Sequence, residues 1–387
     1  MNRSLLLIVG SPFTAWLPLF LGAKKSINRS TKIVLHPVTI GVIGLFFCAV
    51  ISSVYNRDGL SFLASFVFVL YFFLIHWVRD ELLSFERIHR LLRALWVISL
   101  MPALWGILEK MISTQIEMTW MVKLFWNPTY FPTVENYRIM STFGNPNVAG
   151  DWFGMMSLLS FYFLEHCDYN KKRLIISGNI LFLCNLILTG SKGAMTAYML
   201  STFVFAMLKH SKNTWRFLIF FSGLSALGIM MFFNLFETYN SRDLIWQGCI
   251  EIIKKSPMFG CGLLGIYPRI HEVHGHNLLI SISASLGVLG LSITLYLLAY
   301  IVRTLWQLNR NKVRMAPILT SLQVFLLAHS TVDFTILAPQ IGIIFFGICG
   351  LITHFGAVFL NQKYPSIHLN LKRIRRGLIL KPRRSTY

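Results

Sequence analysis

Two histidines one residue apart stand in the run His274-Gly275-His276-Asn277, with Gly287 and Gly290 following inside an apolar stretch. Imidazole titrates near neutrality, so either ring can take a proton from a hydroxyl that attacks an electrophile. Asn277 is the residue type that caps a helix start, and the two glycines permit close helix packing. Alternate residues of an extended stretch point to opposite sides. The spacing therefore predicts that only one of the two imidazoles faces a given substrate. Taken singly, each is equally a surface histidine.

Other constellations could serve an anion. Ser241-Arg242-Asp243 opens a stretch with apolar residues at 245, 249, 252 and 253, the spacing of an amphipathic helix, with Ser241 as its cap and Pro257 as its stop. Lys254 and Lys255 suit its C-terminal end. Arg242, at the start, is either paired with Asp243 or a clamp for an anion that the helix amides also bind. The turn Leu188-Thr189-Gly190-Ser191-Lys192-Gly193 places a cation between glycines, where exposed amides could form an anion nest or simply reverse the chain. Phe143-Gly144-Asn145-Pro146-Asn147 reads as a turn with Asn147 capping the next helix, and Asp151 lies one turn inside it. His329 and Asp333, four apart, are expected on one helix face, either orienting a base or forming a structural pair. Arg269 is another charge whose place topology does not explain.

These residues must be held by membrane helices. The chain is 55% hydrophobic, and its apolar runs repeatedly reach the roughly 20 residues needed to cross a bilayer. Eleven spans are expected, near 4–22, 33–54, 60–79, 91–108, 148–165, 173–190, 193–208, 215–235, 277–302, 315–334 and 337–360. The first is read as a retained helix rather than a signal peptide, since positive charge follows it and no small-residue cleavage site is evident. The segments 23–32, 79–93, 166–173, 209–216, 303–314 and 361–387 carry 26 of the 36 Lys and Arg but only four of the 15 acids, with Glu165 at the edge of one of them, and the rest of the chain is close to balanced. The positive-inside rule makes that side cytoplasmic, with the N-terminus outside and the C-terminus inside. The basic tail 361–387 is either a solvated topogenic segment or a surface for a partner or anionic lipid. Nucleic acid is disfavoured because no stacking or zinc motif accompanies the charge of +21.

Two long segments, 109–147 and 236–276, fall on the outer side, the second partly helical. No span broken by Gly or Pro recurs in two halves, as it would in many transporters. Of the six cysteines, Cys249 and Cys261 share the outer face, where pairing or two small unpaired residues are both compatible with the spacing. No metal-ligand spacing is present, and no cofactor motif appears.

Taken in order, these motifs resemble the O-antigen ligase and polymerase superfamily of bacterial envelope glycosyltransferases. Phe143 to Asn147, Thr189 to Gly193, Arg242 with Trp246, the stretch from Pro257 to Gly265, and His276-Asn277 with Gly287 and Gly290 carry the likeness, over about residues 140–350. It implies an all-α, polytopic fold of the GT-C type in the bacterial inner membrane, commonly with twelve helices and both termini cytoplasmic. It further implies a metal-independent, inverting glycosyltransferase, without cofactor, acting at the outer face on an undecaprenyl-diphosphate-linked glycan. On this likeness His276 activates the acceptor hydroxyl, Lys192 and Arg242 contact the diphosphate, and His274, Arg269, Asp151 and Asp333 support them. Relatives often carry Arg where Lys192 stands, and lysine lacks the planar two-pronged donor. The expected activity is polymerisation onto a lipid-linked saccharide, with ligation to a lipid A core or other surface acceptor as the alternative. A flippase or permease is the reading from a different class. A flippase and a chain-length regulator are the protein partners such a polymerase would have.

Overall fold

Backbone amides inside a bilayer have no water to bond, so an apolar chain satisfies them internally. This chain does so almost wholly with helices. The computed structural model describes residues 2–28, 31–81, 84–116, 120, 137–166, 169–209, 242–362 and 364–369. In chain order these form α1 (Asn2–Gly10), α2 (Trp16–Asn28), β1 (Thr31–Val34), α3 (Pro37–Tyr55), α4 (Gly59–Ser65), α5 (Val67–Glu81), α6 (Phe85–Ile98) and α7 (Leu100–Ser113). There follow α8 (Pro146–His166), α9 (Tyr169–Leu188), α10 (Lys192–Lys209), α11 (Asp243–Lys255), α12 (Tyr267–Ile270), α13 (Leu278–Arg310), α14 (Ala316–His329), a 3-10 turn (Thr335–Leu337), α15 (Pro339–Phe359) and β2 (Ser366–Leu369).

The protein is an all-α, polytopic membrane protein. Among the described residues, the stretches Pro37–Tyr55, Gly59–Glu81, Phe85–Ser113, Leu278–Arg310 and Pro339–Phe359 are long and apolar enough to cross a membrane. Helices α8, α9 and α10 are of similar length but less apolar. In α8 almost every residue from Val148 to Phe163 is buried, so it sits at the centre of the bundle, against α9, α10 and α14. The expected span 215–235, residues 121–136 of the outer segment 109–147, and Ser241 lie outside the described residues. The small exception to the helical rule is a ribbon: β1 pairs antiparallel with β2, Thr31 opposite Leu369 and Val34 opposite Ser366. It ties the chain entering α3 to the chain leaving α15.

Two departures from the expected topology have local causes. Residues 4–22 are not one crossing helix. The chain turns between Gly10 and Trp16, where Thr14 Oγ1 donates to Leu7 O (2.7 Å) and Thr14 N to Ser11 Oγ (3.1 Å). The resulting hairpin brings Ser4 and Leu5 of α1 and Gly22 of α2 onto one cavity that Glu81 and Arg87 also line. The expected first span is therefore two helices joined by a turn rather than one continuous helix.

The second departure is in α13. Gly287 has φ 68° and ψ −168°, so the helix is two rods joined at a break. Val288 N, freed from its helical partner, donates to Pro257 O (2.8 Å), while Cys261 N and Gly262 N donate to Ala284 O (2.8 Å) and Ser285 O (2.9 Å). A Cβ on Gly287 would stand 2.2 Å from Met258 O. Glycine is required there both by its dihedral angles and by the approaching backbone. The Pro/Gly segment is thereby stitched to the broken helix.

Candidate active site

The site is assembled where α13 begins and α14 ends. Asn277 caps α13, its Oδ1 accepting from Leu279 N (2.9 Å) and Ile280 N (3.1 Å), and its Nδ2 reaches Thr331 O (2.9 Å) on the turn after α14. Leu278 N donates to Ser330 O (2.7 Å), so the two chain segments are fastened side by side. Gly275 is held by Ser281 Oγ on its N–H (3.0 Å) and by Trp246 Nε1 on its carbonyl (3.0 Å). Trp246 belongs to α11, whose face Cys249, Ile252 and Ile253 packs with Cys261, Ile266 and Ala284. The amphipathic pattern therefore has a direct purpose: it presses the external helix against the histidine loop.

Within that frame His276 adopts φ 47°, the left-handed region. This bend overturns the expectation that His274 and His276 point apart. Their ring centroids lie 4.6 Å apart, and both rings face Asp333. His276 Nδ1 donates to Asp333 Oδ1 (3.0 Å), and His274 Nε2 stands 3.5 Å from the same oxygen. His276 N donates to His274 Nδ1 (3.1 Å), so that nitrogen carries no proton and the neutral His274 ring holds its proton on Nε2, toward the carboxylate. With its Nδ1–H committed to Asp333, the neutral His276 ring leaves Nε2 as the acceptor. Glu272 Oε2 lies 3.6 Å from that nitrogen.

Asp333 is 2% exposed, so its charge has to be met by partners. Phe334 N donates to Oδ1 (2.9 Å) and Asn147 Nδ2 donates to Oδ2 through a short bond. Burial opposes ionisation of this carboxyl, but the His276 hydrogen bond and the neighbouring imidazoles outweigh it and hold it well below the usual carboxylate range. For His274 burial is the leading influence and Asp333 opposes it. With the charges of His276 and Arg242 added, the imidazole is pushed down to about 4.

Two expectations about partners change here. Asn147 is not the cap of α8; Asn145 Oδ1 takes that role, accepting from Asn147 N (2.8 Å) and Val148 N (3.4 Å). Asn147 is released to bridge Arg138 and Asp333, its Oδ1 accepting from Arg138 Nη2 (2.7 Å). Nor do His329 and Asp333 form a pair, because α14 ends at His329 and Asp333 lies in the turn beyond it. His329 Nδ1 instead meets Asp151 Oδ1 (2.6 Å), both residues at most 1% exposed, and Thr335 Oγ1 donates to the other Asp151 oxygen. This second carboxylate-imidazole pair underlies the first and fixes the ends of α14 and the 3-10 turn against α8.

The remaining candidates divide. Lys192 opens α10, and its neighbour Gly193 abuts Val332 and His329, where a Cβ would come within 2.4 and 2.7 Å. Arg242 sits at the N-cap position of α11 without a side-chain cap bond, and its charge reaches His274. Arg269 is elsewhere: it donates to Gly265 O (2.6 Å) and Asn56 Oδ1 (3.3 Å), clamping the Pro/Gly segment to α3. Cys249 and Cys261 are free, buried thiols, whose pKa values burial pushes up to about 11.

Arg138 and Glu272 were not singled out by sequence. Arg138 Nε donates to Thr189 O (2.8 Å), and its side chain lies against Gly190, which turns at φ 60°. It therefore ties the Gly-Ser-Lys turn to Asn147 and, through it, to Asp333. His274, His276 and Asp333 also offer one ligand atom each within 4.8 Å of one another. His276 Nδ1 faces the carboxylate at hydrogen-bond distance (3.0 Å), with His274 Nε2 at 3.5 Å beside it. That is the pattern of a carboxylate orienting a base.

Residues 178–295 match the family model described as O-antigen ligase, a segment that includes Lys192, Arg242, His274 and His276. The match agrees with the O-antigen ligase and polymerase superfamily, whose members are glycosyltransferase-like enzymes of lipid-linked glycans. No curated protein matches the chain.

Proposed function

With an O-antigen ligase segment at its centre as the premise, we propose that this protein is an inverting glycosyltransferase that takes its glycan from undecaprenyl diphosphate at the outer face of the bacterial inner membrane. The observation that carries the reading is the Asp333–His276 hydrogen bond, which commits Nδ1 of His276 to the carboxylate and, in the neutral ring, makes Nε2 the proton acceptor. In the reaction, that nitrogen removes the proton of an acceptor hydroxyl as its oxygen attacks the anomeric carbon. The bond from that carbon to the diphosphate oxygen breaks, and undecaprenyl diphosphate departs. Asp333 stays ionised and stabilises the imidazolium. Lys192 and Arg242 meet the charge on the leaving diphosphate, and their value rises in a site that excludes water. A single displacement inverts the anomeric centre, without a metal step.

The acceptor in the preferred reading is a lipid-linked saccharide, making the protein a polymerase of a surface polysaccharide. The ligase reading, with a lipid A core or another surface acceptor, draws on the description of the matched family itself. Lipid-linked intermediates in a deletion strain separate the two. Single repeats on the carrier support polymerase, and full-length chains retained on the carrier support ligase. His276→Ala at normal membrane abundance is expected to reproduce the deletion; wild-type product from that variant removes His276 from the chemistry.

A further inference from the structure

At the end of the bundle away from the histidine loop, a half-open cavity of about 620 Å³ lies between the α1–α2 hairpin, α5, α6 and α15. Its walls are apolar, including Leu5, Leu19, Leu74, Leu91 and Ile348, and its polar lining includes Ser4, Glu81, Arg87 and Arg90. Two helical glycines line it, Gly22 of α2 and Gly347 of α15, and a Cβ built on either meets nothing within 4 Å. Glycine inside a helix is destabilising relative to alanine. Neither glycine is packed against a neighbour, so both helices present bare backbone to the cavity.

An apolar cavity does not hold water stably, and one that opens between membrane helices faces hydrocarbon. At roughly 30 Å³ per water-sized group the volume admits about 20 such groups, the size of one long acyl chain. Arg87 and Arg90 are exposed and belong to the strongly basic face of the chain. Arg87 Nη1 also donates to Glu81 O (3.3 Å), which holds the guanidinium beside the cavity. Cations at such a position favour an anionic headgroup.

We propose that this cavity is a binding site for one anionic phospholipid, its acyl chain against Gly22 and Gly347 and its phosphate at Arg87 and Arg90. The deep wall includes Trp152, the residue after Asp151, whose Nε1 donates to Ser99 Oγ (3.0 Å). The lipid would thus brace the helix that carries the buried Asp151–His329 pair.

The test uses the full chain purified in mild detergent, with phosphatidylglycerol or phosphatidylcholine added in mixed micelles at equal mole fraction. Native mass spectrometry is expected to show one retained phospholipid per chain, and phosphatidylglycerol should raise the thermal midpoint more than phosphatidylcholine does. Gly347→Leu, which projects a branched side chain into the space proposed for the acyl chain, should lose both the retained lipid and the response. Arg87→Gln with Arg90→Gln should weaken phosphatidylglycerol binding at least tenfold and erase the preference over phosphatidylcholine. Equal responses to the two lipids in the wild type, retention of a polyprenyl phosphate instead, or unchanged retention in Gly347→Leu would each overturn the proposal. Gly22→Leu repeats the filling test from the opposite wall should Gly347→Leu fail to accumulate.

Discussion

At the scale of single residues, the site is a question of which nitrogen holds a proton. Asp333 selects the tautomer of His276, and Asn147 and Phe334 hold Asp333. Asp333→Asn keeps the shape but lets the amide donate to Nδ1, which puts the imidazole proton on Nε2, where the base is needed. Transfer should fall about 10²–10⁴-fold with protein abundance unchanged, read from single-turnover product formation. His274 makes a separate prediction. Its folded pKa of about 4 lies below the ordinary imidazole value of 6.5, so the neutral ring is favoured by folding. That contribution is complete above pH 6.5 and is lost as pH falls from there toward 4. His274→Gln keeps an acceptor for His276 N but cannot titrate. Its thermal midpoint should therefore fall less than that of the wild type across this window, and parallel curves would refute the assignment. The motif His-Gly-His-Asn was legible in sequence because its chemistry is local. Arg138 was not, because its partners, a carbonyl at Thr189 and the amide of Asn147, are conferred by the turn geometry rather than by its neighbours in the chain. Asn147 was misread for a related reason: an asparagine after proline fits a local capping rule, and Asn145 satisfied that rule first.

Among the elements, α13 carries the most information. Sequence showed two glycines after the histidine motif and suggested close helix packing. The structure uses Gly287 to stop one rod and start another, which frees Val288 N for Pro257 O. Gly287→Ala has to place a Cβ 2.2 Å from Met258 O in a backbone region essentially reserved for glycine. The dihedral cost alone is about 1–3 kcal/mol, and the clash adds to it. The variant should show a lowered thermal midpoint and faster proteolysis of the segment around 257–265, with transfer lost. Proteolysis and midpoint equal to the wild type would mean that the break is not needed. The amphipathic reading of α11 was sound because helical periodicity survives any tertiary context. The partner of its buried face, the loop around Cys261 and Ile266, could not be read from spacing.

For the whole molecule, the apolar helix pattern was enough to read the class, since it is set by composition and period. The break within residues 4–22 was not legible, because the stretch is apolar and a tight turn stabilised by Ser11 and Thr14 leaves little trace in hydropathy. The hairpin puts Ser4 at the basic end of the bundle, where the β1–β2 ribbon also gathers the chain after α15. In a cysteine-free background, Ser4→Cys and Gln362→Cys should both resist a membrane-impermeant maleimide added to whole cells. Val273→Cys, in the exposed histidine loop, should react. Labelling of Ser4→Cys from outside would restore a single first crossing.

The stitch between the Pro257 segment and the broken helix consists of amide-to-carbonyl bonds, Val288 to Pro257, Cys261 to Ala284 and Gly262 to Ser285. Main-chain atoms are the same in nearly every residue, so these bonds do not depend on which side chains flank them. Mutations between the glycines can alter the surface offered to an incoming sugar while the base stays in register. The fold thus separates what must be inherited from what is free to diverge, and relatives serving different glycans would keep the glycine spacing long after their loop sequences have ceased to align.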